Sequence, residues 1–305
     1  MYDIVIIGAG PAGLTAALYA ERAEKQVLVI ERDTFGGQIT HSPRIENYPG
    51  FVALSGNELA DKLIEQVFAQ GAEIELDTAL EIKKNADNTY TVVCEGASYD
   101  CYAVIIAAGS THRTLGIEGE DELVGHGISY CAVCDGAFYK DKTVAVIGGG
   151  NSALGDASLL SKSAKKVYII QNLSHLTGEM SLVHQLESAE NVEFIFSSTV
   201  KSFTQRDGEL CGIVIENAEG ETSLSLDGVF VAIGQKPENE PFASLLDINE
   251  YGYIVADESC IPSGAPAGIF TAGDCRTKSV RQVATATADG AVAALAACRY
   301  IDSLK

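Results

Sequence analysis

Short, wholly apolar runs alternate along this chain with longer stretches in which small and apolar residues recur at helical spacing. Ile4-Val5-Ile6-Ile7 leads into Gly8-Ala9-Gly10-Pro11-Ala12-Gly13, then an alanine-rich segment from Leu14 to Ala23, then a second run, Val27-Leu28-Val29-Ile30, ending at Glu31. Four-residue apolar runs rich in β-branched residues predict strands buried on both faces, and the segment between them is long enough for the helix that must connect parallel strands. The pattern recurs. Val144-Ala145-Val146-Ile147 precedes Gly148-Gly149-Gly150-Asn151-Ser152-Ala153, a predicted helix over Leu154–Ala164, and Val167-Tyr168-Ile169-Ile170 ending at Gln171. Gly8 to Glu31 and Gly148 to Gln171 span the same interval, which predicts two βαβ dinucleotide folds in one α/β chain.

Val104-Ile105-Ile106-Ala107-Ala108-Gly109 and Asp227-Gly228-Val229-Phe230-Val231-Ala232-Ile233-Gly234 read as later strands of the two folds. After Pro237 and Pro241 the chain changes character and reaches Gly268-Ile269-Phe270-Thr271-Ala272-Gly273-Asp274. The expected organisation is a first domain over 1–113, an inserted central domain over 114–240, and a return to the first domain over 241–305. A chain of 305 residues comfortably fills two cores.

Charge narrows the function. With 42 acidic side chains against 21 Lys and Arg the net charge is −21, which argues against nucleic acid, since no surplus of cations would neutralise phosphates. An acidic protein partner would need a local basic patch. No apolar run is long enough to cross a bilayer, and the first residues lack a basic leader and a small-residue cleavage site. Eight cysteines without an export signal imply a reducing, cytoplasmic setting, where a disulfide is more often catalytic than structural.

Two motifs carry chemistry. Gly8, Gly10 and Gly13 form G-x-G-x-x-G between a strand and a helix: the backbone can approach a pyrophosphate, the helix N-terminus presents free N–H groups, and Glu31 can accept from ribose hydroxyls. Cys131-Ala132-Val133-Cys134 runs into Asp135-Gly136. Two thiols at this spacing can close and reopen a disulfide, and the adjacent carboxylate can move the proton that exchange requires. Half a zinc site has the same spacing. The other six cysteines form no second CxxC and no His lies within six residues after Cys134, so redox work is the better reading and no metal is expected.

These motifs, with Gly36-Gly37-Gln38, Glu46-Asn47-Tyr48-Pro49-Gly50-Phe51, Gly273-Asp274 and Arg281-Gln282-Val283, resemble the low-molecular-weight bacterial thioredoxin reductases over essentially the whole chain. The resemblance implies FAD in the first fold, with Gly8, Gly10 and Gly13 at the pyrophosphate and Glu31 at the adenosine ribose. It places Gln38 and Asn47 near the flavin, Asp274 at the ribitol, Gln282 and Val283 over the ring, and Arg281 beside them as a flavin contact. It further implies that Cys134 takes electrons from the flavin, Cys131 attacks the disulfide of thioredoxin, Asp135 shuttles the proton, and the protein is a homodimer.

One departure matters. NADPH-using members of that family follow the second strand of the central fold with His-Arg-Arg and a further arginine. Here the strand runs into Gln171-Asn172-Leu173-Ser174-His175-Leu176, and no Lys or Arg occurs between Lys166 and Lys201. A phosphate without cations loses charge-assisted bonds worth about 1.5–3 kcal/mol each. The chain is similar in this respect to the ferredoxin-dependent flavin thioredoxin reductases, which makes ferredoxin the expected donor, docking on Arg276, Lys278 and Arg281, with Arg44 and Arg113 as further cations. An NADPH-dependent thioredoxin reductase, an oxygen-dependent dithiol oxidase and a flavin redox sensor are the alternatives.

Overall fold

The computed structural model describes residues 1–42 and 44–304. The chain forms two compact units, Met1–Thr111 with Lys236–Lys305 and, inserted between these pieces, His112–Gln235. The crossings fall at 111/112 and 235/236, somewhat earlier than the 113/114 and 240/241 read from the sequence.

The first unit is built on a seven-stranded sheet. Tyr2–Ile7 lies at its centre, parallel to Val27–Glu31 on one side and to Ser98–Ile106 on the other. Ser98–Ile106 is shared: its first half pairs antiparallel with Tyr90–Cys94 and its second half pairs parallel with Ile269–Thr271. That last pairing returns the C-terminal piece to the first domain. The helix Pro11–Arg22 crosses from the first strand to the second, and it packs against the twenty-residue helix Val283–Asp302. Close approach of these helices is possible because the contact is lined by alanine: Ala12, Ala16 and Ala20 on one side, Ala286, Ala293 and Ala297 on the other, all buried. At Gly290 a Cβ would lie 2.2 Å from the Ala12 carbonyl oxygen. Where the chain leaves and re-enters this unit, the Thr111 hydroxyl donates to the Lys236 carbonyl (3.3 Å).

The second unit repeats the plan. Thr143–Ile147 lies parallel to Lys166–Ile170 and to Gly228–Val231 in a five-stranded sheet, and Asn151–Leu160 is the crossover helix. This helix begins and ends earlier than the predicted Leu154–Ala164, because the residue after the third glycine already has helical geometry. A three-stranded antiparallel sheet over Thr199–Arg206, Glu209–Asn217 and Gly220–Ser225 completes the unit. No helix among the described residues is long and apolar enough to cross a membrane.

Candidate functional site

In the first unit the glycine turn is shaped by backbone contact. Gly8 has φ of +107°, and a Cβ there would lie 2.3 Å from the Ala107 carbonyl oxygen. A Cβ on Gly13 would lie 1.8 Å from the Gly8 carbonyl oxygen. Gly10 differs. Its φ of −76° suits any residue, and the nearest atom to an added Cβ is the Gly36 carbonyl oxygen at 4.0 Å. Among the described residues no atom lies closer than 4.0 Å to a Cβ added at Gly10, and no side chain caps the helix that starts beside it. An uncapped helix N-terminus with open space before it has the chemistry to receive an anionic group. Glu31 serves the same turn: its Oε2 accepts from the Ala9 amide (2.7 Å) and its Oε1 from the Asp33 amide (3.0 Å). Each oxygen keeps a further lone pair for a ribose hydroxyl.

Two other segments converge on this turn. Gly37, at the start of the 3₁₀ turn Gly37–His41 that carries the exposed Gln38, would place a Cβ 3.3 Å from the Gly10 Cα. Gly273, with φ of +80°, would place one 2.8 Å from the Ala12 Cβ. Asp274 therefore stands at the edge of that open space. Its Oδ1 is buried without a hydrogen-bond partner, and burial raises its pKa although Lys278, 4.0 Å away, opposes the shift. An enclosed carboxylate oxygen with an open valence fits a ribitol hydroxyl. The Asn47 amide donates to Gln282 Oε1 (3.1 Å), so these two expected flavin neighbours do come together. Val283 packs with Ile39, Ile45 and Leu54.

The loop bearing Asp274 is held by a residue that the sequence reading missed. Asp289, buried on the C-terminal helix, accepts from Arg276 through both oxygens (2.9 and 2.8 Å), from Lys278 (3.0 Å) and from the Gly273 amide (3.0 Å). Burial alone would raise the Asp289 pKa, but the two cations outweigh it and hold the carboxyl below its usual range. This overturns one expectation. Arg276 is 2% exposed and the Lys278 side chain 6%, and both spend their charge on Asp289, so neither belongs to a surface basic patch. Arg281 lies over the Tyr253 ring, 4.3 Å from its centroid, with its Nε buried. Arg44 pairs with Glu46 (2.6 Å). No spacing rule in the sequence pairs Asp289 with Arg276; only the return of the helix over the loop does so.

In the second unit Cys131 and Cys134 form a disulfide with Cα atoms 5.3 Å apart. The sulfurs are bonded to each other, not offered as a pair of metal thiolates. Cys131 caps the short helix Ala132–Asp135, accepting at Sγ from the Cys134 amide (3.2 Å). Asp135 ends that helix. Burial raises its pKa, partly offset by a short bond from the Ser129 hydroxyl to Oδ2 (2.6 Å), while Oδ1 is buried without a partner. A carboxyl that keeps its proton to higher pH is better matched to thiols than an ordinary aspartate.

The second glycine turn is occupied differently from the first. Gln171 is buried, its amide donates to the His175 carbonyl (3.3 Å), and an added Cβ at Gly149 would lie 2.5 Å from its Nε2. The amides of Thr177 and Gly178 donate to the Gly149 carbonyl (2.8 and 3.1 Å), which folds the segment after the strand back onto the turn. Where Glu31 braces the first turn with a carboxylate, a neutral amide sits against the second, and the segment up to Lys201 carries no Lys or Arg.

Comparison with known proteins agrees with these two folds. The sequence profile of the pyridine nucleotide-disulphide oxidoreductases matches residues 2–290. A thioredoxin reductase of Listeria monocytogenes is 41% identical over 307 aligned positions, covering 100% of this chain and 95% of that protein. A 34.2 kDa protein of the rubredoxin operon of Clostridium pasteurianum is 42% identical, covering 98% of this chain and 97% of its own. The crystal structure of thioredoxin reductase from Streptococcus pyogenes superposes with a TM-score of 0.94 at 39% identity, covering 99% of both chains. The chain thus belongs to the pyridine nucleotide-disulphide oxidoreductase family, among the low-molecular-weight bacterial thioredoxin reductases, flavoproteins that bind FAD.

Proposed function

We propose that this protein reduces the disulfide of thioredoxin through Cys131 and Cys134, and that it draws its electrons from reduced ferredoxin, not from NADPH. The observation that carries the first half is the Cys131–Cys134 disulfide, with the half-buried Asp135 closing its helix. FAD, when bound, supplies a two-electron store that can be filled one electron at a time and emptied as a pair. The residues divide the work from there. Gly10 and the uncapped helix beside it receive the pyrophosphate, Glu31 the adenosine ribose, and Asp274 a ribitol hydroxyl. Gln38, Asn47, Arg281, Gln282 and Val283 line the flavin in this reading. Cys134 is the sulfur of the disulfide that would take the electrons, and Cys131, once freed as a thiol, attacks the thioredoxin disulfide. Asp135 accepts the proton lost from one thiol and returns it to the departing one.

The donor assignment rests on the second fold. A 2′-phosphate bound there would find no cation from 167 to 200, and Gln171 occupies the surface of Gly149. Cytoplasmic location and a homodimer belong to the same reading. Turnover of thioredoxin with reduced ferredoxin, and a rate with NADPH at least 100-fold lower, is the expected outcome of a steady-state assay. Equal turnover with NADPH would return the protein to the ordinary reductases. Rapid consumption of oxygen on addition of a small dithiol would favour the oxidase.

A further inference from the structure

We infer that Ser129 is a positioning residue for the thiol–disulfide chemistry: its hydroxyl fixes the Asp135 carboxylate, engaging one oxygen and leaving the other to exchange protons with the redox pair. The inference rests on the disulfide-reductase reading above and adds a residue that reading does not use.

Ser129 is 4% exposed, on the two-residue strand Ile128–Ser129, where it lies opposite Phe230 of the central sheet. Sheet pairing fixes its backbone, so its Oγ is a fixed point under the CxxC turn. That oxygen accepts from the Cys131 amide (3.0 Å) and stands 2.6 Å from Asp135 Oδ2 and 3.4 Å from the Cys131 carbonyl. A hydroxyl has one proton, and the shorter contact to a carboxylate takes it. One side chain thereby ties the backbone of the first cysteine to the acid that follows the second. The Asp135 amide closes the loop by donating to the Cys131 carbonyl (3.0 Å). With Oδ2 held, the enclosed and unpartnered Oδ1 is the oxygen left to take a proton.

A thiolate of the reduced pair attacks the substrate disulfide and expels one substrate thiolate, leaving a mixed disulfide. The second protein thiol loses its proton to Asp135 and attacks the mixed disulfide, expelling the second substrate thiolate. The protein dithiol is oxidised to the disulfide and the substrate disulfide is reduced to two thiols; of the dithiol's two protons, one leaves to solvent as the attacking thiolate forms and the other passes to Asp135, and the two expelled thiolates take up two protons in return. The ionisable neighbours of Asp135 are few. Tyr139 interacts with its charge, and the helix Asn151–Leu160 packed against the turn carries only Asp156.

The test is a single-turnover reaction of FAD-loaded protein, reduced with dithiothreitol, freed of excess and mixed anaerobically with the aromatic disulfide 5,5′-dithiobis(2-nitrobenzoate). Because the Ser129 bond favours ionised Asp135, Ser129→Ala moves the acid limb of the rate profile to higher pH and slows exchange roughly tenfold at neutral pH. Ser129→Thr, which keeps the hydroxyl, restores most of the rate. In an Asp135→Asn background Ser129→Ala has little further effect, since both changes break the same link. A Ser129→Ala profile with the parent's acid limb, or an equal slowing in both backgrounds, would overturn the role of Ser129 alone. An Asp135→Asn protein with the parent's profile would remove the reading beneath it, and the proposal with it.

Discussion

Gly10 and Gly13 sit three residues apart in one motif, yet they answer to different constraints. Gly13 is required by the fold, because a Cβ would lie 1.8 Å from the Gly8 carbonyl oxygen. Gly10 faces open space. Gly13→Ala is therefore expected to destabilise the FAD-free protein by about 3 kcal/mol or more, through overpacking against backbone that cannot yield. Gly10→Val should leave the melting temperature of the FAD-free protein within about 2 °C of the parent and lower FAD affinity at least about tenfold, by filling the anion cradle. Melting curves of stripped protein and FAD titration separate the two. Asp289 makes a different prediction. Asp289→Ala leaves the buried Arg276 and Lys278 with only their longer contacts, Glu258 at 3.9 Å and Asp274 at 4.0 Å, which costs about 3–5 kcal/mol. It should also release FAD on desalting by loosening the loop of Asp274. Since the Asp289 pKa is lowered on folding, its stabilisation is present above the ordinary carboxylate range and fades as pH falls through its folded value. The parent's melting temperature should consequently drop toward acid more steeply than that of Asp289→Asn.

At the scale of elements, the helix Asn151–Leu160 carries Asp156, whose pKa burial pushes up to about 6. A raised acid has the opposite sign from Asp289. Its protonated form is the one the fold tolerates, so its contribution is present at low pH and is lost as pH rises through about 6. Asp156→Asn should stabilise the protein by about 1 kcal/mol at pH 8 and leave it unchanged near pH 4, read from denaturant midpoints. The paired βαβ elements were legible because periodicity and glycine punctuation are local properties of the chain. The buried Ile4–Ile7 and Val144–Ile147 strands and their crossover helices lie where the pattern puts them, with ends displaced by a few residues. The CxxC was legible for the same reason, and its two sulfurs are joined. Arg276 and Lys278 were misread as surface charge because a cation's letter says nothing of a carboxylate thirteen and eleven residues away on another element. Ser129 was passed over because an isolated serine two residues before a CxxC carries no motif. Its meaning comes from the sheet that holds it beneath Asp135.

At the scale of the whole molecule, two copies of one nucleotide fold have been put to different uses. The first keeps an open cradle at Gly10 and a carboxylate, Glu31, bound to the Ala9 amide. The second carries the redox disulfide just before its central strand, and its own turn is covered by Gln171 and the segment up to Gly178. The segment from 167 to 200, which follows that turn, offers no Lys or Arg to the 2′-phosphate of NADPH, and each charge-assisted bond so lost is worth about 1.5–3 kcal/mol. The most direct test is anaerobic absorbance at the flavin band, with FAD-loaded protein mixed separately with NADPH, NADH and reduced ferredoxin. Bleaching by ferredoxin, with neither nucleotide bleaching the band on the timescale of turnover, is the predicted result. Prompt bleaching by NADPH would contradict it and make Gln171 and its neighbours a different way of holding the same nucleotide.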